Sequence, residues 1–126
     1  MREIKFRAYN PRDKKIHYDI TGIEIYENGK MSGVFIDGAF FLTEEVNLMQ
    51  YTGLKDKNGK EIYEGDILRI KNSLIELEGE VIWDTIDLSF EVYDKENDCK
   101  EMLWYTNKEF EVLGNIYENP ELLKEH

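Results

Sequence analysis

Three carboxylates stand close together in this chain, where Glu61, Glu64 and Asp66 surround Gly65. Oxygen ligands of this kind could hold a hard cation such as Mg²⁺ or Ca²⁺. The spacing of an EF-hand loop is not met, and an aspartate beside a glycine commonly accepts backbone N–H groups that fix a turn. We therefore favour a turn in which Glu61 and Glu64 face water, and we expect no metal and no cofactor.

The carboxylates belong to residues 50–66, QYTGLKDKNGKEIYEGD, which we call the signature segment. It holds three glycines and almost no hydrophobic periodicity. Such a stretch is expected to be specified by backbone conformation and polar contacts, not by burial in a core. Asp56, Asn58 and Gly59 predict a tight turn with positive φ.

An exposed polar segment of this kind is a candidate interaction surface. Tyr51 and Tyr63 flank it, and they could either pack as hydrogen-bonded residues, which is the commoner role, or form a platform for a ligand. The candidate binding residues are Tyr51, Leu54, Lys55, Lys57, Glu61, Tyr63 and Glu64.

The sequence lacks the familiar catalytic motifs, including a phosphate-binding glycine loop, paired Cys/His zinc spacing, His-Glu-x-x-His and Gly-x-Ser-x-Gly. Cys99 cannot form an internal disulfide and is expected in a loop as an incidental thiol. A catalytic cysteine would need a partner base, whereas His17 lies in an early strand and His126 is the last residue. We therefore assign no catalytic residue and expect a protein that is not an enzyme.

Composition predicts a folded chain with a polarised charge. The 126 residues are 41% hydrophobic, which suits one domain with one core. Residues 1–53 carry 7 Lys and Arg against 8 Asp and Glu, whereas residues 54–126 carry 9 against 19. The acidic half either solvates the surface or steers the protein toward a partner of opposite charge. No apolar run approaches the roughly 20 residues that span a bilayer, and no leader is seen, so we expect a cytoplasmic protein.

Period-2 alternation and turn residues predict mostly strands. In the first half, Asn10–Asp13 predicts a turn and Asn28-Gly29 a hairpin. The segment Thr43–Leu48 fits either one helical turn or another strand. The predicted strands of this half lie at residues 4–9, at 15–20, around Ile23 and Ile25, and at Met31–Ile36.

The second half predicts five short strands, separated by turns at intervals that suit a small barrel. Gly114 marks a bulge or bend, and Asn119-Pro120 predicts the start of a short helix whose Leu122 and Leu123 dock on the barrel. The predicted strands are Asp66–Lys71, Gly79–Trp83, residues 88–93, Met102–Tyr105 and residues 110–116.

The predicted fold class is therefore mainly β, a β-rich α+β chain. Residues 1–53 form a small antiparallel sheet, and residues 54–126 form an SH3-like five-stranded barrel with the signature segment and a short C-terminal helix. Open sheet edges make a homo-oligomer plausible.

The signature segment resembles that of the YopX family of small phage and prophage proteins. Three further stretches agree with this resemblance, namely REIKFRAYNPRDKKI, EVIWD and FEVLGNIYENPELL. It implies a phage or prophage gene in a Gram-positive host and a β-rich fold with an SH3-like barrel. It implies no activity and no catalytic residues.

The sequence is compatible with three functions. The first is a non-enzymatic module that binds a host or phage protein. The second is a nucleic-acid role, either direct binding through Lys5 and Arg7 on the outer face of the first strand or imitation of DNA by the acidic half. The third is an enzyme that acts through the carboxylate cluster, which would need a cleft with raised carboxylate pKa values.

Overall fold

The computed structural model describes residues 3–103 and 109–123. The chain divides into two compact units, Met1–Gln50 and Tyr51–His126. Within the described residues, all strand pairs are antiparallel, so the prediction of a mainly β protein is confirmed. The described part of the chain contains no helix long and apolar enough to cross a membrane.

The first unit holds two small sheets. One pairs β2 with β1 and β1 with the start of β6, and the other has the order β3-β4-β5. Its core cluster consists of Ala8, Val34, Ile36 and Val46. The strands are β1 (Phe6–Asn10), β2 (Lys15–His17), β3 (Ile20–Ile25), β4 (Met31–Ile36), β5 (Ala39–Leu42) and β6 (Asn47–Lys55).

Both predicted turns of this unit are confirmed by their hydrogen bonds. The Asn10 side chain accepts the backbone N–H of Arg12 at 3.0 Å. Gly29 has φ +86° and donates its N–H to the Tyr26 carbonyl at 2.9 Å, which closes the hairpin between β3 and β4. Asn-Gly supplies the positive φ that such a hairpin requires.

The second unit is built on a five-stranded sheet with the order β11-β10-β9-β8-β12. The end of β6 pairs with β7 in a hairpin, with Tyr51 opposite Tyr63. The core cluster consists of Ile62, Leu68, Ile70, Val81, Val92 and Leu103. The strands are β7 (Glu61–Tyr63), β8 (Asp66–Lys71), β9 (Glu76–Asp84), β10 (Ser89–Asp94), β11 (Cys99–Met102) and β12 (Glu109–Asn115).

Strand β8, an interior strand between β9 and β12, shows why one face of the sheet is apolar and the other carries charged side chains. Side chains alternate along a strand, so Leu68 and Ile70 are fully buried while Arg69 and Lys71 lie on the other side. The alternation is therefore the direct cause of the charged surface described below.

The C-terminal region differs in part from the prediction. The bulge is confirmed, since the β8–β12 register shifts between Val112 and Gly114. The short helix is only a 3₁₀ turn, Pro120–Leu123, and Leu122 is exposed rather than docked. Trp104 and Tyr105, placed in a strand by the sequence, lie outside the described residues.

Several placements from the first half of the chain are corrected. Residues 43–46 form turns, so Thr43–Leu48 is neither a helical turn nor wholly a strand. Arg7 is only 2% exposed and lies over the Tyr18 ring, and therefore it is not on an outer face. Lys5 precedes β1 and pairs with Glu3 at 3.0 Å. In the second half, Cys99, expected in a loop, begins β11.

Gly79 lies where two strand backbones come too close for a side chain. A Cβ added there would overlap the Tyr93 carbonyl and the backbone nitrogen of Asp94 in β10. We therefore expect Gly79→Ala to lower the free energy of unfolding by roughly 1–3 kcal/mol, the usual cost of overpacking a core. Urea denaturation followed by circular dichroism measures the change.

The matched control is Gly22→Ala, because a Cβ at Gly22 would meet the Phe35 side chain at an ordinary contact distance of 3.4 Å. This variant should unfold close to the wild-type midpoint. Equal midpoints for the two variants would mean that β9 and β10 do not approach as closely as described.

Candidate functional site

The signature segment is a folded hairpin and not only a polar loop. It contains the end of β6, a turn at residues 56–60, β7, and the turn into β8. Ile62 is fully buried in the core cluster of the second unit. The expectation that burial does not specify this segment is therefore wrong for its strands, while it holds for its turns.

The first turn is organised by the carboxylate of Asp56. Its Oδ1 accepts the N–H groups of Asn58 and Lys60, each at 2.9 Å, and its Oδ2 accepts the N–H of Val112 at 3.0 Å. Gly59 completes the predicted turn with φ +82°. Since Val112 lies in β12, one side chain both closes the turn and fastens it to the sheet.

A second bond strengthens this attachment. The backbone N–H of Lys57 donates to the Phe110 carbonyl at 2.9 Å. Asp56 itself is 7% exposed. Burial alone would raise the pKa of the Asp56 carboxyl, but the N–H groups of Val112, Lys60 and Asn58 together outweigh it and lower that pKa.

The two tyrosines lie on opposite strands of the hairpin. Tyr51 and Tyr63 are 6% and 3% exposed, and their ring centroids are 5.4 Å apart. The Tyr63 hydroxyl donates to Glu61 Oε1 at 3.2 Å. Of the two roles that the sequence left open, this geometry fits hydrogen-bonded packing.

The three carboxylates around Gly65 do not assemble into a shared ligand set within the described residues. Asp66 is buried and accepts the N–H of Tyr63 at 2.8 Å, which fixes the turn into β8 as the sequence suggested. The turn is also tied to its neighbours, since Gly65 donates to the Val81 carbonyl and accepts from Ile116, each at 2.9 Å.

The seven candidate binding residues therefore differ in accessibility. Lys55 and Lys57 are exposed, Leu54 packs partly buried against the core, and Glu61 and Glu64 are half-buried. Only the two lysines present a largely free side-chain surface to a partner. Whether any of the seven binds one remains a prediction.

Beside Lys57 lies a small pocket on the charged face of the five-stranded sheet, which we call the charged groove. Its volume is about 130 Å³. Its lining side chains are all charged: Lys57, Arg69, Lys71, Glu76, Glu109 and Glu111.

Strand register explains this arrangement. Lys71 of β8 lies opposite Glu109 of β12 and Glu76 of β9, so a cation stands between two glutamates. The next row repeats the pattern, because Arg69 has Glu111 on one side and Glu78 on the other. Opposite charges across antiparallel strands attract, and here they form two parallel rows of three.

The Arg69 guanidinium holds the second row together. It lies 2.8 Å from Glu78 Oε1 and 3.5 Å from Glu111 Oε1. The hydrogen bond to Glu78 raises the pKa of Arg69 above its ordinary value. Lys57 adds a weaker pair with Glu111 at 3.9 Å, so the signature turn supplies one wall of the groove.

Sequence reasoning selected Lys57 and missed the other groove residues. The alternation in Asp66–Lys71 placed Arg69 and Lys71 on one face, and this was the available signal. The register that brings glutamates from β9 and β12 beside them depends on pairing between strands far apart in sequence, which a local pattern does not contain.

The fold and the signature hairpin define a small, mainly β protein of two compact units. A model of the YopX protein family matches residues 5–124. The chain therefore belongs to the YopX family, as its sequence resemblance indicated.

Two solved structures are similar over the whole chain. Protein EF1440 from Enterococcus faecalis is 28% identical with a TM-score of 0.69, over 98% of this chain and 100% of its own. Protein yopX from Bacillus subtilis is 22% identical with a TM-score of 0.65, over 100% of this chain and 99% of its own, which supports the fold alone. No curated protein matches the chain.

The Asp56 carboxylate should be a main determinant of stability in the second unit. Asp56→Asn retains one accepting oxygen for three N–H groups, and a buried unsatisfied N–H costs roughly 1–3 kcal/mol. We expect a lower free energy of unfolding at pH 7. Because the folded-state pKa of Asp56 is lowered, the carboxylate's contribution is present above its ordinary value of 3.8 and is lost as pH falls through the folded-state value.

Urea denaturation at pH 7 and pH 3 tests the loss of stability and its pH dependence. The difference in free energy of unfolding between wild type and Asp56→Asn should be smaller at pH 3. Glu96→Gln, an exposed carboxylate in the turn between β10 and β11, removes the same charge and should change little. If this difference were the same at both pH values, the charge of Asp56 would not contribute to stability.

Proposed function

We propose that the protein is a non-enzymatic protein-binding module of phage or prophage origin that acts in the cytoplasm of the host. Its partner is a host or phage protein with a basic surface. The binding surface is the charged groove together with the exposed signature lysines, Lys55 and Lys57. We also propose that the five-stranded sheet belongs to an SH3-like barrel.

The observation that carries this proposal is the pattern of charge in the groove. Two rows place a cation between two glutamates, and Lys57 stands at one side. A mixed pattern fixes the register of a partner and rejects surfaces with the wrong charges. Such a surface gives specificity to a protein contact, whereas a phosphate backbone presents charge of one sign.

The net charge supports a basic partner. Residues 54–126 carry 19 Asp and Glu against 9 Lys and Arg. A field of this sign accelerates encounter with a positively charged surface and slows encounter with nucleic acid. The direct nucleic-acid alternative is also weakened because Arg7, one of its two contact residues, is buried.

Site-specific photo-crosslinking in the host cell identifies the partner. A photoreactive amino acid replaces Lys57 or Glu76 in the groove and, as a control, the exposed Glu27 in the turn between β3 and β4. We expect the same cross-linked protein from both groove positions and its absence from the control. Cross-links that disappear on nuclease treatment would instead support the nucleic-acid alternative.

Charge reversal then tests the groove with the purified partner. We expect the double variant Glu76→Lys/Glu109→Lys to lower the association rate constant by about tenfold at low ionic strength, since rim charges act mainly on encounter. Surface plasmon resonance at low and high salt measures the rate, and the difference should shrink as salt screens the charges.

The matched control is Glu27→Lys/Glu44→Lys, which changes the net charge equally at exposed positions of the first unit. Both double variants should remain folded, although the groove variant places three lysines in one row and should melt at a lower temperature than the control. Equal slowing by the two would show that net charge alone steers the protein, and the groove would then not be the binding surface. Size-exclusion chromatography of the same samples reports any self-association.

A further inference from the structure

A second group of carboxylates lies at the hairpin between β9 and β10. Asp84 ends β9, Asp87 lies in the turn, and Glu91 is in β10. One carboxylate oxygen from each residue lies within 4.8 Å of the other two. Asp84 and Glu91 are buried, whereas Asp87 is exposed, so the group opens to solvent on one side.

Glu91 is the unusual member of this group. Its side chain is 1% exposed, and its Oε1 atom is buried without a hydrogen-bond partner within the described residues. A buried carboxylate oxygen that makes no bond carries a desolvation cost that folded proteins seldom leave uncompensated. This carboxyl group faces those of Asp87 and Asp84, and a cation held between the three would supply the missing partner.

Both carboxylate oxygens of Asp84 have partners within the protein. Its Oδ1 accepts the N–H groups of Ile86 and Asp87 at 2.8 and 2.9 Å, which holds the turn in place. Its Oδ2 lies 2.6 Å from Lys100 Nζ. Three ionised carboxylates beside one ammonium leave two negative charges, which is the charge that a divalent cation neutralises.

We propose that Asp84, Asp87 and Glu91 form a binding site for a hard, calcium-sized divalent cation. Carboxylate oxygens are the ligands such ions prefer, and water completes the coordination on the open side. Calcium–oxygen distances of about 2.3–2.6 Å allow two ligands on opposite sides of the ion to be almost 5 Å apart. The separation of up to 4.8 Å therefore needs little rearrangement.

The site is independent of the proposed protein-binding function, because none of its ligands lines the charged groove. A bound ion would connect the end of β9, the turn and β10. Leu88, in that turn, has φ +52°, a conformation that is costly for a leucine. Bonds from the ion to the residues on either side would help to hold this turn.

Isothermal titration calorimetry with CaCl₂ and MnCl₂ tests the site on the full chain after treatment with a chelator. Burial and the facing carboxyls of Asp87 and Asp84 raise the pKa of Glu91 to about 7, so the titration is run at pH 8 to limit competition by protons. We expect one ion per chain with a Kd of roughly 10⁻⁵ to 10⁻³ M, the range for weak oxygen sites.

The variants are Asp87→Asn, Glu91→Gln and a control, Asp37→Asn, an exposed carboxylate in the turn between β4 and β5. The first two should weaken binding about tenfold or more, since affinity follows the number of ligand charges. The control should bind like the wild type. Absence of binding by the wild type at about 10 mM, roughly ten times the weakest expected Kd, overturns the proposal.

A measurement on the wild type keeps the test valid if a variant fails to fold. Substoichiometric Mn²⁺ should broaden the amide NMR signals of residues 84–91 before those of residues 37–38 in the control turn. Broadening elsewhere first, or binding that survives Glu91→Gln, would overturn the assignment of these three ligands.

Discussion

The carboxylate of Asp56 is the interaction on which much of the second unit depends. It joins a tight turn to a strand more than fifty residues later in the chain, through N–H groups at Asn58, Lys60 and Val112. One carboxylate accepts three backbone N–H groups that would otherwise bind water, and it fastens the signature hairpin to β12. The Lys57 side chain owes its position at the groove to this attachment, since its own N–H binds Phe110.

The charged groove follows from the interior position of β8, which pairs with β9 on one side and β12 on the other. Each outward cation of β8 can therefore face two carboxylates at once. The same strand buries Leu68 and Ile70 on its other side. Core and groove are therefore two faces of one alternating sequence, and a shift of one residue in register would exchange them.

Local signals in the sequence predicted local structure well. The strands Met31–Ile36 and Asp66–Lys71 were predicted with the bounds that the structure has, because turn residues delimit them clearly. Burial was harder to predict. Arg7 alternates with apolar neighbours and was placed on an outer face, yet it is covered. Alternation identifies the side of a strand, but what covers that side is decided by distant parts of the chain.

The candidate site, like the fold, was predictable only where a local stretch of sequence determines it. The signature segment indicated the turn at Asp56 and the exposed Lys57, whereas the glutamates of the groove come from strands whose pairing the sequence does not encode locally.

The geometry of the turn at Asp56 also restricts its length. An added residue between Asp56 and Lys60 would move at least one N–H away from the carboxylate. Differences in length among such chains should therefore fall in other connections, such as the exposed turn between β10 and β11.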